Sequence, residues 1–179
     1  MKRVLLSTIL LVSSCLILQA KQPLRPSVYA LNETYIVGIE GPQMTYIEGN
    51  TKFGALAIKP TAKTGEEEVI WQLMFSFDQY DPIEIRENSD FLTLTFWDNT
   101  QLKLRPASNI TSTAIYYSHH VLAFYIVTQE QMEKIINSGV SHISLVHNIG
   151  SYNKPIKKNK MSIALNDMRL AIETVIDEL

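Results

Sequence analysis

From about Thr34 to Thr128 the apolar residues recur mostly at every second position, the period of a strand with one buried face. Val69 to Phe77 shows this most clearly, with Trp71, Leu73, Phe75 and Phe77 on one face as the candidate core. Phe91 to Trp97 and Thr100 to Arg105, joined by Asp98-Asn99, predict a hairpin. Its Leu92, Leu94 and Phe96 stand with Leu102 and Leu104 opposite, while Thr93, Thr95, Lys103 and Arg105 point the other way. Tyr35 to Glu40 and Met44 to Glu48 flank Gly41-Pro42, a turn pair, and read as a second hairpin. Phe53 to Lys59, Ile83 to Ile85 and Val121 to Val127 supply further strands.

The period changes near Thr128. Thr128-Gln-Glu-Gln131 has the form of a capping box, and a short helix through Met132, Ile135 and Ile136 stops at Ser138-Gly139. Val140 to Val146 is again a strand. Beyond Lys157, Met161, Leu165, Met168, Ile172, Val175 and Leu179 follow one another in steps of four and three, one stripe of a helix that docks on a sheet. The whole predicts an α+β domain over 21–179. Its mainly antiparallel sheet has roughly seven to nine strands, arranged as a sandwich or an open barrel, with a short helix near 129–138 and an amphipathic helix near 157–178.

The first twenty residues follow neither period. Lys2 and Arg3 precede an apolar run of about fifteen residues, Val4 to Leu18, too short to span a bilayer comfortably, and Leu18-Gln19-Ala20 offers a small-residue cleavage site. They read as a signal peptide, which makes the mature protein periplasmic or secreted. Val12-Ser13-Ser14-Cys15 also fits a lipobox, and acylation of Cys15 would make the chain an outer-membrane lipoprotein. Against this, Leu16-Ile17-Leu18 stays apolar where mature lipoproteins turn polar. A membrane is a partner only if Cys15 is lipidated.

Charge excludes more than it suggests. Sixteen basic and 18 acidic residues give −2 for the full chain, and loss of Lys2 and Arg3 with the leader takes this to −4, which argues against nucleic acid as a partner. Cys15 is the only cysteine, so the mature chain has no disulfide and no thiol nucleophile. His119, His120, His142 and His147 do not chelate by local spacing: both pairs reverse face along a strand, and they read as surface or turn residues with no metal and no cofactor implied. Neither H-E-x-x-H nor G-x-S-x-G occurs. Asp78, Asp81 and Glu84 cluster after a buried strand and invite a glycosidase-like pairing, although Asp81-Pro82 reads first as a turn.

Thr128-Gln-Glu-Gln-Met-Glu-Lys-Ile-Ile, Gly139-Val-Ser-His-Ile-Ser-Leu, a loop centred on Tyr152 and a Lys-rich approach to a final helix resemble the C-terminal half of small exported proteins of Gram-negative gut-type bacteria. The resemblance extends over about residues 68–175 and takes in the preceding hairpin, where Asn99 replaces the usual glycine after Asp98. It implies an exported β-rich fold and no mechanism.

Two patches carry the functional expectation. Alternation puts Trp97 with Thr93 and Thr95 on the less apolar face, where an indole at a hairpin tip could stack on a sugar or enter a partner's pocket. Lys154, Lys157, Lys158 and Lys160 form a basic cluster suited to an anionic partner. The leading expectation is therefore a non-catalytic exported protein that binds an envelope protein or a glycan. The alternatives are a small envelope hydrolase acting on glycan or peptide through Asp78 to Glu84, and a structural lipoprotein tethered at Cys15.

Overall fold

The computed structural model describes residues 23–31, 33–61, 68–157 and 159–179. The expected signal peptide with Cys15, and Lys158 of the basic cluster, lie outside the described residues. The elements run β1 (Ser27–Leu31), β2 (Thr34–Ile39), β3 (Thr45–Glu48), β4 (Thr51–Pro60), β5 (Ile70–Gln79), β6 (Glu84–Ile85), β7 (Leu92–Phe96), β8 (Gln101–Leu104), β9 (Ile110–Thr111), β10 (Thr113–Ile115), β11 (Ser118–Val127), α1 (Gln129–Ser138), β12 (Val140–His147), β13 (Gly150–Pro155) and α2 (Lys160–Ile176). They build an α+β fold of antiparallel sheets with two helices. A curled seven-stranded sheet is ordered β1-β2-β4-β5-β11-β10 with β3 also on β4, a four-stranded sheet is ordered β13-β12-β7-β8, and β6 pairs with β9.

The inward rows of both sheets meet in one core. Trp71, Leu73, Phe75 and Phe77 of β5 lie between Phe53, Ala55 and Ala57 of β4 and Val121, Ala123, Tyr125 and Val127 of β11, all buried. Leu92, Leu94 and Phe96 of β7 and Ile143 and Leu145 of β12 close the core from the smaller sheet. Each such side chain contributes about 1.5–3 kcal/mol by leaving water. Tyr152 of β13 joins the two sheets: its ring stacks on Phe77 at 4.3 Å between centroids, and its hydroxyl meets that of the fully buried Thr51.

The alternation is realised in the β7–β8 hairpin, where Leu92 pairs with Leu104 and Leu94 with Leu102, and Asn99 takes the positive φ of 65° that the missing glycine left to it. The capping box also forms, Gln131 N donating to Thr128 Oγ1 at 3.2 Å and Thr128 N to Gln131 Oε1 at 3.0 Å. Helix α2 buries Met161, Ala164, Leu165, Met168, Ile172 and Ile176 against β2, β4 and α1. Leu179 leaves the stripe and is exposed, because the helix ends at Ile176.

Three expectations are corrected, and one strand is added. Tyr35–Glu40 and Met44–Glu48 do not pair with each other: Gly41–Gln43 is a single 3-10 turn that offsets the chain without reversing it, so β2 and β3 follow one another along the same edge of β4. The segment before Thr34 contains β1, which extends the sheet beyond β2 although four of its five residues are exposed. The Tyr152 segment is a strand rather than a loop, paired residue for residue with β12. His147 is buried rather than at the surface.

The step from β2 to β3 depends on Gly54. A Cβ there would stand 2.5 Å from the Ile39 carbonyl oxygen and 2.9 Å from Met74 Cε. Gly54→Ala is expected to cost about 1–3 kcal/mol in urea unfolding, and an unchanged midpoint would contradict this close approach.

Candidate functional site

Burying Trp71, Leu73, Phe75 and Phe77 forces the residues between them outward, because successive strand side chains alternate. Ser76 and Asp78 are thereby placed on the outward face of β5, two residues apart. In β11, His120 is directly opposite Asp78, and Leu122 is opposite Ser76. The imidazole bridges the two β5 residues: Nδ1 lies 2.8 Å from Asp78 Oδ1 and Nε2 lies 3.3 Å from Ser76 Oγ. Lys52 of β4 flanks Ser76 from the other side, its ammonium 4.9 Å from the Tyr46 ring centroid. Asn50 Nδ2 donates to the Asp78 carbonyl at 3.1 Å.

The end of the sheet just beyond this bridge is aromatic. Gln79 pairs with His119, so Tyr80 is level with Ser118, and Ser118 closes the two-residue loop of the β10–β11 hairpin by pairing with Ile115. The loop is Tyr116-Tyr117. Tyr116 is 99% exposed, Tyr117 92% and Tyr80 86%. Tyr116 takes φ 53°, a left-handed conformation that suits glycine and costs an L-residue with a bulky side chain about 1–2 kcal/mol. No packing repays that cost, since the ring is almost wholly in solvent.

The expected site residues lie elsewhere. Trp97 is half exposed in the β7–β8 turn, its amide donating to Gly139 O at 3.3 Å, and its ring would be 3.1 Å from a Cβ on Gly139. It thus covers the backbone at the end of α1. Thr93 and Thr95 are half-buried between Lys103 and Ser144 and between Gln101 and His142, respectively. Lys154 lies 5.3 Å from the Tyr152 ring centroid, Lys157 is exposed, and Lys160 opens α2 with its amide on the Lys157 carbonyl. Asp78 is taken up by His120, while Glu84 belongs to β6 and is tied through its backbone to Asn148. Asp78 and Glu84 are therefore in different sheets, and Asp81 is exposed in the bend between them. Ser151 and Lys154, three residues apart on β13, point to opposite faces and cannot form the pair that this spacing would give on a helix.

Two other polar features are accounted for by packing. Asp90, 1% exposed, accepts from Arg86 N at 2.9 Å, from Arg86 Nε and Nη2 at 3.1 Å each, and from Ser89 Oγ at 2.9 Å. The Arg86 side chain is the main reason its carboxyl titrates below the usual range. Burial raises Tyr125 and lowers His147, with the Asp90 charge raising both. A groove of about 640 Å³ is floored by Val69, Ile70, Trp71, Ile126 and Ile176, but Glu173 on its rim pairs with Arg169 and the Ile176 carbonyl accepts from Lys59. Among the described residues no three His, Cys, Asp or Glu side chains converge as a metal site.

The tyrosine end left one sequence signal that was not used: Tyr-Tyr stands between two strands where glycine or asparagine is the usual loop residue. Ser76 and His120 left none, being 44 residues apart and joined only by the β5–β11 register. Comparison with protein-family models, curated proteins and solved structures finds no match for the chain.

Replacing Tyr116 with glycine is expected to raise stability by about 0.5–1 kcal/mol, since it relieves the left-handed strain; a lower thermal midpoint would contradict that strain. The depressed Asp90 carboxyl contributes stability that is present above about pH 4, its unfolded value, and lost as pH falls through the lower folded value. Thermal midpoints from pH 6 to pH 2 should therefore fall less steeply for Asp90→Asn than for wild type, and equal slopes would refute the linkage.

Proposed function

We propose that this is an exported envelope protein that binds a glycan at the end of the large sheet carrying Tyr80, Tyr116 and Tyr117. One observation carries the reading: three nearly fully exposed tyrosines gather at one end of a rigid sheet, one of them at a positive-φ hairpin position that glycine would fill at lower cost. Aromatic faces stack on the C–H faces of sugar rings, while the neighbouring Asp78, Asp81 and Asn50 supply acceptors and donors for hydroxyls. Sheet strands on either side hold these groups in place, which lowers the ordering cost of binding. Export by the leader brings the protein to a compartment rich in such polymers, whether it is released after Ala20 or tethered through Cys15.

Trp97 is a weaker platform than the tyrosines because its ring leans on Gly139. In a titration against host-envelope polysaccharide fragments, Tyr117→Ala and Tyr80→Ala should each weaken binding several-fold, about 1 kcal/mol per ring, with thermal midpoints unchanged. Trp97→Ala should leave affinity as it was. Loss of binding in Trp97→Ala alone would move the site back to the small sheet.

A further inference from the structure

We propose that Ser76, His120 and Asp78 act as a nucleophile relay that hydrolyses esters of apolar acyl chains laid along the outward face of the large sheet. The contacts have the required order. Asp78 accepts from His120 Nδ1 at 2.8 Å, which selects the tautomer whose Nε2 bears a lone pair, and that nitrogen faces the Ser76 hydroxyl at 3.3 Å. The carboxylate orients the ring, the ring is the base, and the hydroxyl is the nucleophile. All three come from two adjacent strands of one sheet, which hold the spacing without help from a loop.

The substrate class is read from the rest of the same face. Past Leu122, β11 turns Phe124 and Ile126 outward, and β4 turns Leu56 and Ile58 outward; Leu122 and Ile126 are exposed. From Leu122 to Ile126 the strand advances about 14 Å, the reach of roughly a ten-carbon acyl chain. In the other direction the face becomes polar at Asp78 and then aromatic. An ester with its carbonyl at Ser76 thus lays its acyl chain toward Ile126 and its alcohol toward Tyr80. Only the placement of the alcohol leans on the glycan reading.

In the first step His120 Nε2 takes the hydroxyl proton as Ser76 Oγ bonds to the carbonyl carbon, and the carbonyl π pair moves onto oxygen. The β5 strand is paired on both sides, so its amides are committed to ladders, and the Lys52 ammonium, on the cross-strand neighbour of Ser76, neutralises the oxyanion. Collapse restores the carbonyl, breaks the bond to the alcohol oxygen, and gives that oxygen the proton held by His120. Water then attacks the acyl-serine with His120 again as base, releasing the carboxylic acid and restoring Ser76. Ser76 is 6% exposed, so the ester reaches it as the Leu122 side chain swings aside, and the Lys52 ammonium leaves the Tyr46 ring to meet the oxyanion. Longer acyl chains, which displace Leu122 on docking, should react faster.

The test treats the full chain, as produced by its host, with an alkyl fluorophosphonate and with 4-nitrophenyl esters from acetate to decanoate, and locates the adduct by peptide mass. The expected result is phosphonylation at Ser76, abolished in Ser76→Ala and retained in Ser151→Ala. Turnover should rise with chain length and fall on the order of 10²-fold in His120→Gln. His120→Gln carries the same test should Ser76→Ala lower the yield of folded protein. A folded wild type without an adduct at Ser76, or ester hydrolysis that persists in Ser76→Ala, would overturn the relay. These esters contain no sugar, so either result stands apart from the outcome of the glycan titration.

Discussion

Everything on this molecule follows from the burial of one row of side chains, Trp71, Leu73, Phe75 and Phe77, on the inner face of the strand at the centre of the large sheet. Four large residues at period two leave that strand no freedom to slip, because a shift by a single residue would turn the whole row to water. The neighbouring strands inherit their registers from it, Phe53 opposite Phe75 on one side and Val121 opposite Phe77 on the other. The outer face is then a consequence. Ser76 and Asp78 must point outward, and the β11 register delivers His120 to Asp78.

The second sheet and the C-terminal helix hold that row in place. Tyr152 stacks on Phe77 from across the core and engages Thr51, so β4, β5 and β13 are joined at the same end of the sheet that carries the outward site. Asp90 does comparable service nearby, tying down the turn between β6 and β7 through four hydrogen bonds to Arg86 and Ser89. A site on the outer face therefore rests on strands braced from within, which suits both ring stacking and the close tolerances of proton transfer.

Strongly periodic segments were legible in the sequence for a plain reason: where a buried row alternates cleanly, as in β5 and β7, the side-chain pattern and the backbone element are the same fact. Helix α1 was equally legible because Thr128, Gln131 and Gly139 mark its two ends by local hydrogen bonding and backbone conformation. Pairing was less so. Gly41-Pro42 looks like a reversal, and only the offset of β2 and β3 along β4 shows that it is a step. The amphipathic alternation of the β7–β8 hairpin drew attention to Trp97, whose ring is partly spent on Gly139. Tyr80, Tyr116 and Tyr117 passed unnoticed because tyrosine is a common strand residue and its exposure depends on where the loop falls. Contact between Ser76 and His120 requires the register of two strands far apart in sequence, which no local spacing encodes.

Glycan binding and ester hydrolysis both place the working surface at the outward end of β5 and β11, and ester hydrolysis adds the premise that His120 is held in a defined orientation there. A long-range proton–nitrogen correlation spectrum of the His120 ring in wild type and Asp78→Asn tests that premise directly. Protonation fixed on Nδ1 in the neutral ring, lost or mixed once Asp78 is neutralised, is the expected result. A ring protonated on Nε2, or one that does not respond to Asp78→Asn, would mean that the three side chains are neighbours without being a unit.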